Sequence, residues 1–327
     1  MKAIISAISS AIGLMVLMIA TDIRAEIRVV ASINPVHSLV SAVMEGVGAP
    51  DLIMTGAGSP HSYALRPSQA RALQNADVIF WVGPELEQFL EKSIATVGQN
   101  ARSMPLIDVD GMIVHPFRER HDDAEHKEHA EDKEDGHKKH KHEGHAHEGH
   151  GHDAGAMDPH IWLDPENAQT MVRSIVDALS KADPKAAAQY RANAERTLDQ
   201  LNQLSTDIAA QLEVIKDKKY IVFHDAYQYF EKRFGMTSVG SITVNPDSMP
   251  GAEHLTHIKQ KVANLGATCV FSEPQFQPKL VSLVIEGTAA KSSVLDPLGA
   301  SLKPGPSQYF KLMQDMAASM RDCLSAD

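Results

Sequence analysis

The sequence has no excess of positive charge and no long hydrophobic run beyond its N-terminus. Its 31 Lys and Arg are outnumbered by 42 Asp and Glu, for a formal net charge of -11. This balance argues against a nucleic-acid partner, because neutralising phosphates requires clustered cations. No later segment reaches the roughly 18 consecutive apolar residues that a membrane-spanning helix needs. Aromatic residues make up only 5%, but the hydrophobic content of 43% is that of a globular protein with buried cores.

The N-terminus has the pattern of an export signal. Lys2 precedes an apolar run from Ala3 to Ala20, and the small residue Ala25 follows a short polar stretch. We therefore expect a signal peptide over residues 1–25, cleaved near Ala25, and a soluble mature protein outside the cytoplasm. A membrane anchor is the alternative, but the run is short and lies at the extreme N-terminus.

Cysteine is scarce, with Cys269 and Cys323 as the two examples. In an exported protein, two cysteines form a disulfide more often than a metal pair. The bridge would close a loop of about 55 residues and contribute about 4 kcal/mol to stability. Two buried free thiols are the alternative, and the disulfide is the expectation.

Short β-rich runs alternate with helical patterns along most of the chain. Strands are expected over 27–33, 51–54, 78–82, 105–109, 220–223, 268–271 and 293–295. Helices are expected over 36–47, 69–75, 85–97, 279–285 and 308–324, and two further helices are expected to run through Phe234 and through Leu265. This alternation predicts an α/β fold of mainly parallel sheets covered by helices. The chain is long enough for two such lobes.

A long helical pattern from Pro184 to about Ile215 separates the two series of strands. Its apolar positions recur every three or four residues. We interpret it as a stiff linking helix (184–215) between an N-terminal α/β lobe (26–183) and a C-terminal α/β lobe (216–327). One more surface helix of the first lobe is the alternative.

A tract unlike the rest of the chain lies inside the N-terminal lobe. It carries ten histidines among acidic residues and lysines: His121, His126, His129, His137, His140, His142, His145, His147, His150 and His152. Such a composition cannot bury enough apolar surface to fold, so we expect a disordered loop over 118–153. Histidine-rich tracts bind divalent metals, which makes this loop a secondary metal site.

Other histidines fall where strands are expected to end. His61 follows the second strand, His224 follows the strand at 220–223, and Asp296 follows the strand at 293–295, while His160 lies just ahead of a helix. Ligands of α/β sheets bind beyond the carboxyl ends of the strands. These four residues are therefore candidate ligands, two from each lobe.

Three imidazoles with a carboxylate or water match the tetrahedral coordination that zinc prefers. One histidine near a strand end is more often a hydrogen-bonded structural residue, but the joint placement beside a histidine-rich tract favours a metal site in the interlobe cleft. His37 follows the first strand, where it could line the cleft, but its position at the start of a helix favours a structural role. Asp225 is a candidate either to orient a ligand or to cap the next helix.

Longer motifs surround these candidates. They are GAGSPHSYALRPSQ (56–69), NADVIFWVGPELE (75–87), HIWLDPEN (160–167), IVFHDAYQYFEKRFG (221–235), VNPDSMPGAEHL (244–255), CVFSEPQF (269–276) and LDPLG (295–299). From about residue 26 to the C-terminus, the chain resembles the periplasmic zinc-binding proteins of zinc ABC importers, the ZnuA family.

The resemblance implies two α/β lobes joined by a rigid helix, with Zn²⁺ bound between them. It implies ligand roles for His61, His160 and His224, with Asp296 or water in the fourth position, and a Cys269–Cys323 disulfide. Manganese-type relatives place a carboxylate where His224 stands. Some zinc-type members carry a glutamate before the first histidine, and Pro60 excludes that ligand here.

The expected function is capture of Zn²⁺ in the periplasm by a monomer that hands it to a membrane ABC permease. A periplasmic zinc buffer or chaperone, with the histidine-rich loop as its main site, is one alternative. A zinc hydrolase is another, but the sequence contains neither H-E-x-x-H nor a nucleophile elbow. We therefore do not expect an enzyme.

Overall fold

The computed structural model describes residues 27–118 and 156–325, apart from 244, 245, 247, 248 and 267. The predicted signal peptide and the ten histidines of the histidine-rich tract lie outside the described residues. No helix within the described ranges is long and apolar enough to cross a membrane.

The N-terminal lobe (described residues before 184) is built on a four-stranded parallel sheet. Its strands are β1 (Val29–Ala31), β2 (Asp51–Leu52), β3 (Val78–Trp81) and β4 (Arg102–Pro105), in the order β2-β1-β3-β4. Its helices are α1 (Asn34–Val43), α2 (Pro67–Asn75), α3 (Gln88–Thr96) and α4 (Pro165–Ala182). The central strands β1 and β3 are buried throughout, because helices cover both faces of a parallel sheet.

The C-terminal lobe (described residues after 215) repeats this architecture. Its strands are β5 (Tyr220–His224), β6 (Gly240–Thr243), β7 (Cys269–Ser272) and β8 (Lys291–Val294), all parallel, in the order β6-β5-β7-β8. Its helices are α6 (Gln228–Phe234), α7 (Ala252–Leu265), α8 (Lys279–Ile285) and α9 (Gln308–Leu324). The predicted disulfide is present between Cys269 of β7 and Cys323 of α9.

A 26-residue helix, α5 (Ala187–Leu212), connects the two sheets, and a 3-10 turn over Glu213–Ile215 extends it. Its buried stripe includes Leu201, Leu204 and Ile208, at spacings of three and four residues that bring them to one face. These side chains belong to a hydrophobic core that continues into both lobes. The α/β fold and the long helix are therefore confirmed, while the domain boundaries at 183 and 215 stay a prediction.

One predicted strand is misplaced, and one strand of the structure was not predicted. The expected strand over 105–109 ends at Pro105, and Leu106–Asp108 forms a 3-10 turn, because pairing with β3 stops at Trp81↔Pro105. The strand β6 was not expected, since glycine and serine interrupt its apolar pattern. It forms because residues 240–243 pair with the buried strand β5.

Candidate metal centre

Three histidines that are far apart in the sequence meet between the two lobes. His61, His160 and His224 each offer a ring nitrogen, and these three atoms lie within 4.8 Å of one another. Their ring centroids are 5.6 Å apart for His61 and His160, 6.0 Å for His61 and His224, and 5.2 Å for His160 and His224. This spacing allows the three side chains to share one ion.

The position of His224 follows from the sheet of the C-terminal lobe. It is the last residue of the buried strand β5, and only 4% of it is exposed. Glu273 directly follows the neighbouring strand β7 and is equally buried. Because parallel strands end at the same edge, Glu273 reaches the imidazole and lies 2.7 Å from its Nδ1.

A tight turn positions His160 in the N-terminal lobe. Oδ1 of Asp158 accepts hydrogen bonds from the backbone nitrogen of His160 at 3.0 Å and from its Nδ1 at 2.6 Å. Four residues later, the Asp164 side chain caps α4 by accepting from the Glu166 nitrogen, and Pro165 occupies the first turn. The ring of His160 is therefore held between a hydrogen-bonded turn and a capped helix.

These contacts determine which nitrogens face the centre of the site. An ionised carboxylate can only accept, so Nδ1–H of His160 and of His224 each donates a hydrogen bond to its carboxylate, and a neutral ring presents an unprotonated Nε2. The two Nε2 atoms lie 3.3 Å apart. In tetrahedral zinc coordination with bonds of 2.0–2.1 Å, two ligand nitrogens are separated by about 3.3 Å. The pair therefore already has the spacing of two zinc ligands.

His61 lies on the turn that joins β2 to α2 and is partly exposed. Two residues on, Tyr63 packs against Phe89 of α3 at a centroid distance of 5.3 Å, and its hydroxyl accepts a hydrogen bond from Gln69 of α2 at 2.7 Å. These contacts fix the turn from two helices. Apolar side chains line the space beside the three imidazoles: Pro60, Trp162, Phe276, Pro297 and Leu298.

The charge around His224 is negative. Burial lowers the pKa of the His224 imidazole, but the charge and hydrogen bond of the Glu273 carboxylate, together with the charges of Asp225 and Asp158, outweigh it. The pKa is therefore raised above the ordinary histidine value. An environment that stabilises an imidazolium in this way also stabilises a bound cation.

Asp296 does not belong to the group of three histidines. Its Oδ1 accepts from Gln275 at 3.0 Å and from the backbone nitrogen of Leu298 at 3.2 Å, and its Oδ2 accepts from the nitrogen of Ala300 at 2.7 Å. These bonds shape the loop that follows β8. A ligand role for Asp296 stays a prediction.

Two further candidates have other partners. Nε2 of His37 lies 3.1 Å from the Pro50 carbonyl oxygen, in keeping with a structural role, and burial lowers the pKa of this histidine. The Asp225 carboxylate accepts from Nε of Arg118 at 2.9 Å, and Tyr227 occupies the N-cap of α6. Asp225 therefore neither bonds the His224 ring nor caps the helix.

Sequence reasoning missed the two carboxylates that contact the ligand candidates, Asp158 and Glu273. A signal for Glu273 was available, since it stands directly after a strand in the same way as His224. Asp158 precedes His160 by two residues, which is the spacing of an aspartate that bonds the backbone two residues on. Sequence reasoning placed the ligand-orienting role on Asp225, the neighbour of His224 in the chain, whereas the contact to the His224 ring comes from Glu273 on the adjacent strand.

Comparisons with known proteins identify relatives of this chain. The model of the family described as "Zinc-uptake complex component A periplasmic" (ZnuA) matches residues 29–323. The chain is 50% identical over 306 residues to the high-affinity zinc uptake system protein ZnuA of Brucella suis biovar 1, covering 91% of each chain. It is 36% identical to the ZnuA of Yersinia pestis, covering 92% of each.

Among solved structures, a zinc-bound deletion mutant of ZnuA superposes with a TM-score of 0.72 at 23% identity, covering 92% of this chain and 99% of that one. At this level of identity the superposition shows a shared fold.

Proposed function

Because the chain belongs to the ZnuA family of periplasmic zinc-uptake components, we propose that it captures Zn²⁺ in the periplasm and delivers it to a membrane ABC importer for zinc uptake. The observation that carries the proposal is the convergence of three imidazoles between the lobes, two of them with Nε2 atoms 3.3 Å apart. Imidazole nitrogen is a preferred zinc ligand, and manganese favours more carboxylate.

The proposed ligands are Nε2 of His160, Nε2 of His224 and a ring nitrogen of His61. A water molecule, Asp296 or a histidine of the histidine-rich tract completes the tetrahedron. Water is favoured as the fourth ligand, because the Asp296 carboxylate already accepts three hydrogen bonds from its own surroundings. The carboxylates of Asp158 and Glu273 then orient the bound imidazoles and increase their basicity.

The proposal includes the cellular context. The mature protein is a periplasmic monomer, released by cleavage of the signal peptide near Ala25, and its partners are Zn²⁺ and the membrane permease, with no nucleic acid. It does not catalyse a reaction. Assays for peptidase, esterase and lactamase turnover test the last point: turnover that requires the ligand histidines would favour a zinc hydrolase instead.

The central experiment is zinc titration and metal analysis of His61→Ala, His160→Ala and His224→Ala, with His257→Ala in α7 as the matched control. Each ligand variant should lose at least about 100-fold in zinc affinity, since even removing a hydrogen-bond partner of a ligand costs 10- to 100-fold. The control should bind one tight zinc like the unmodified protein. Tight stoichiometric zinc in His224→Ala would refute the proposed site.

A second experiment separates import from buffering. Deleting residues 119–153 should leave one tight zinc site and remove weaker ones, because the three proposed tight-site ligands lie outside this segment and the proposed secondary ligands lie within it. If the deletion abolishes tight binding, the histidine-rich tract is the main site, and the buffer or chaperone function is favoured.

A further inference from the structure

The side chain of Gln228 connects the two lobes next to the three-histidine site. Gln228 belongs to α6 of the C-terminal lobe and is 2% exposed. Its Nε2 donates to the Pro116 carbonyl oxygen at 3.0 Å and to Oδ2 of Asp158 at 2.7 Å, both in the N-terminal lobe. Both partners are acceptors, which determines the orientation of the amide.

The second of these bonds leads directly to a proposed ligand. Asp158 is completely buried, and while its Oδ2 accepts from Gln228, its Oδ1 contacts the ring nitrogen Nδ1 of His160. A relay of three side chains, Gln228–Asp158–His160, therefore begins in the C-terminal lobe. It ends at the Nε2 atom that faces His224.

We propose that Gln228 is a positioning residue for zinc binding, which couples the approach of the two lobes to the orientation of the His160 imidazole. This inference rests on the proposed function. When the lobes are together, the amide fixes the Asp158 carboxylate, and the carboxylate fixes the ring. Any separation of the lobes breaks the Gln228–Asp158 bond and leaves the ring less restrained. A ligand that is already oriented binds the ion at a lower cost in side-chain entropy.

Arg233 offers a contrast on the same helix. Its Nε and Nη2 donate to Oδ1 and Oδ2 of Asp164 at 2.7 and 2.8 Å, so it also joins α6 to the N-terminal lobe. It acts on the cap of α4, whereas Gln228 acts on the carboxylate that contacts the His160 ring. Arg233 is therefore a matched control: it joins the same helix to the N-terminal lobe without bonding the carboxylate that contacts the His160 ring.

The test is a double-mutant cycle for zinc affinity. Gln228→Met and Arg233→Met are each made in the unmodified chain and in His160→Ala, and zinc dissociation constants are measured by competition titration. Gln228→Met alone should weaken binding about tenfold, the effect of losing a hydrogen bond to a buried charged group. In His160→Ala it should change affinity less than about twofold, because the ring it positions is gone. Arg233→Met should have the same effect in both backgrounds.

Other outcomes have different meanings. An equal loss from Gln228→Met in both backgrounds, or no loss in either, would overturn the inference. If His160→Ala itself binds zinc as tightly as the unmodified chain, the proposed ligand set fails instead, which is a distinguishable result. Melting temperatures of the zinc-free proteins check folding. Gln228→Asn retains the amide on a side chain one methylene shorter, so it should reproduce the loss of affinity with smaller disruption of the core.

Discussion

Glu273 and His224 contact each other through a carboxylate oxygen and Nδ1 at 2.7 Å, although 49 residues separate them in the sequence. The contact exists because β5 and β7 are neighbours in a parallel sheet and end at the same edge. Through this contact the Glu273 carboxylate, at the end of β7, orients the ring of His224, the proposed zinc ligand at the end of β5. Asp158 makes the corresponding contact to His160 from within a single turn.

Replacing Glu273 with glutamine should lower zinc affinity by about 10- to 100-fold, because the bound imidazole loses a charged hydrogen-bond partner. Asp158→Asn should have an effect of the same size on the other ligand. Isothermal titration measures both, and Asp315→Asn, which changes an exposed carboxylate of α9, is the control that should leave affinity unchanged. Equal affinities in all three variants would show that the buried carboxylates do not support the ligands.

Zinc affinity should fall as the pH decreases, starting above the ordinary histidine value of about 6.5. Zinc needs an unprotonated His224, and the raised pKa of this residue lets protons compete at higher pH. Burial lowers this pKa and Glu273 raises it, so Glu273→Gln should move the fall in affinity to lower pH. Titrations between about pH 5 and 8 measure both curves. Affinity that is independent of pH would contradict a histidine-dominated site.

Local sequence patterns predicted the helices whose apolar residues recur at regular spacing. The helices Lys279–Ile285 and Gln308–Leu324 have the bounds expected from the sequence. The strands at the edges were less predictable. Gly240–Thr243 contains only two residues of high β-propensity, Ile242 and Thr243, and forms a strand because β5 supplies its hydrogen-bond partners.

Some residues of the site were likewise predictable from the sequence, and others were not. His61, His160 and His224 were predictable because the ends of strands and helices mark where ligands bind in α/β folds. Gln228 was not, since nothing in its neighbourhood in the sequence indicates that its amide reaches Pro116 and Asp158 in the other lobe. Contacts between lobes depend on how two sheets are placed relative to each other, and periodicity carries no information about that placement.

A buried carboxyl outside the site should make stability depend on pH. Glu87 follows β3 and is completely buried, and its Oε2 accepts from the backbone nitrogens of Val82 at 2.8 Å and Gly83 at 3.1 Å. Burial outweighs these bonds and raises the pKa of Glu87 to about 7, from an ordinary value of 4.5. The folded state therefore holds this proton more tightly than the unfolded state does. Its contribution to stability is complete below about pH 4.5 and is lost as the pH rises through about 7.

Glu87→Gln removes this titration and keeps an oxygen for the two backbone bonds. The variant should gain stability relative to the unmodified protein as the pH rises from about 5 to 8, by up to about 3 kcal/mol. Thermal unfolding of both zinc-free proteins across this range gives the difference directly, since the titration of other groups cancels. A stability difference that stays constant with pH would show that Glu87 does not carry a raised pKa.

Loss of the Cys269–Cys323 disulfide should separate stability from metal binding. The bond joins β7 to α9 across 54 residues of sequence, and closing a loop of this length stabilises the folded state by about 4 kcal/mol. Cys269→Ala/Cys323→Ala should therefore lower the melting temperature by about 10 °C. Zinc affinity well below that temperature should not change, because neither cysteine lines the site. A parallel loss of affinity would mean that loosening α9 also displaces the site. The contact that would carry this effect is the hydrogen bond from the Tyr309 hydroxyl of α9 to the Trp162 carbonyl oxygen, beside the imidazoles.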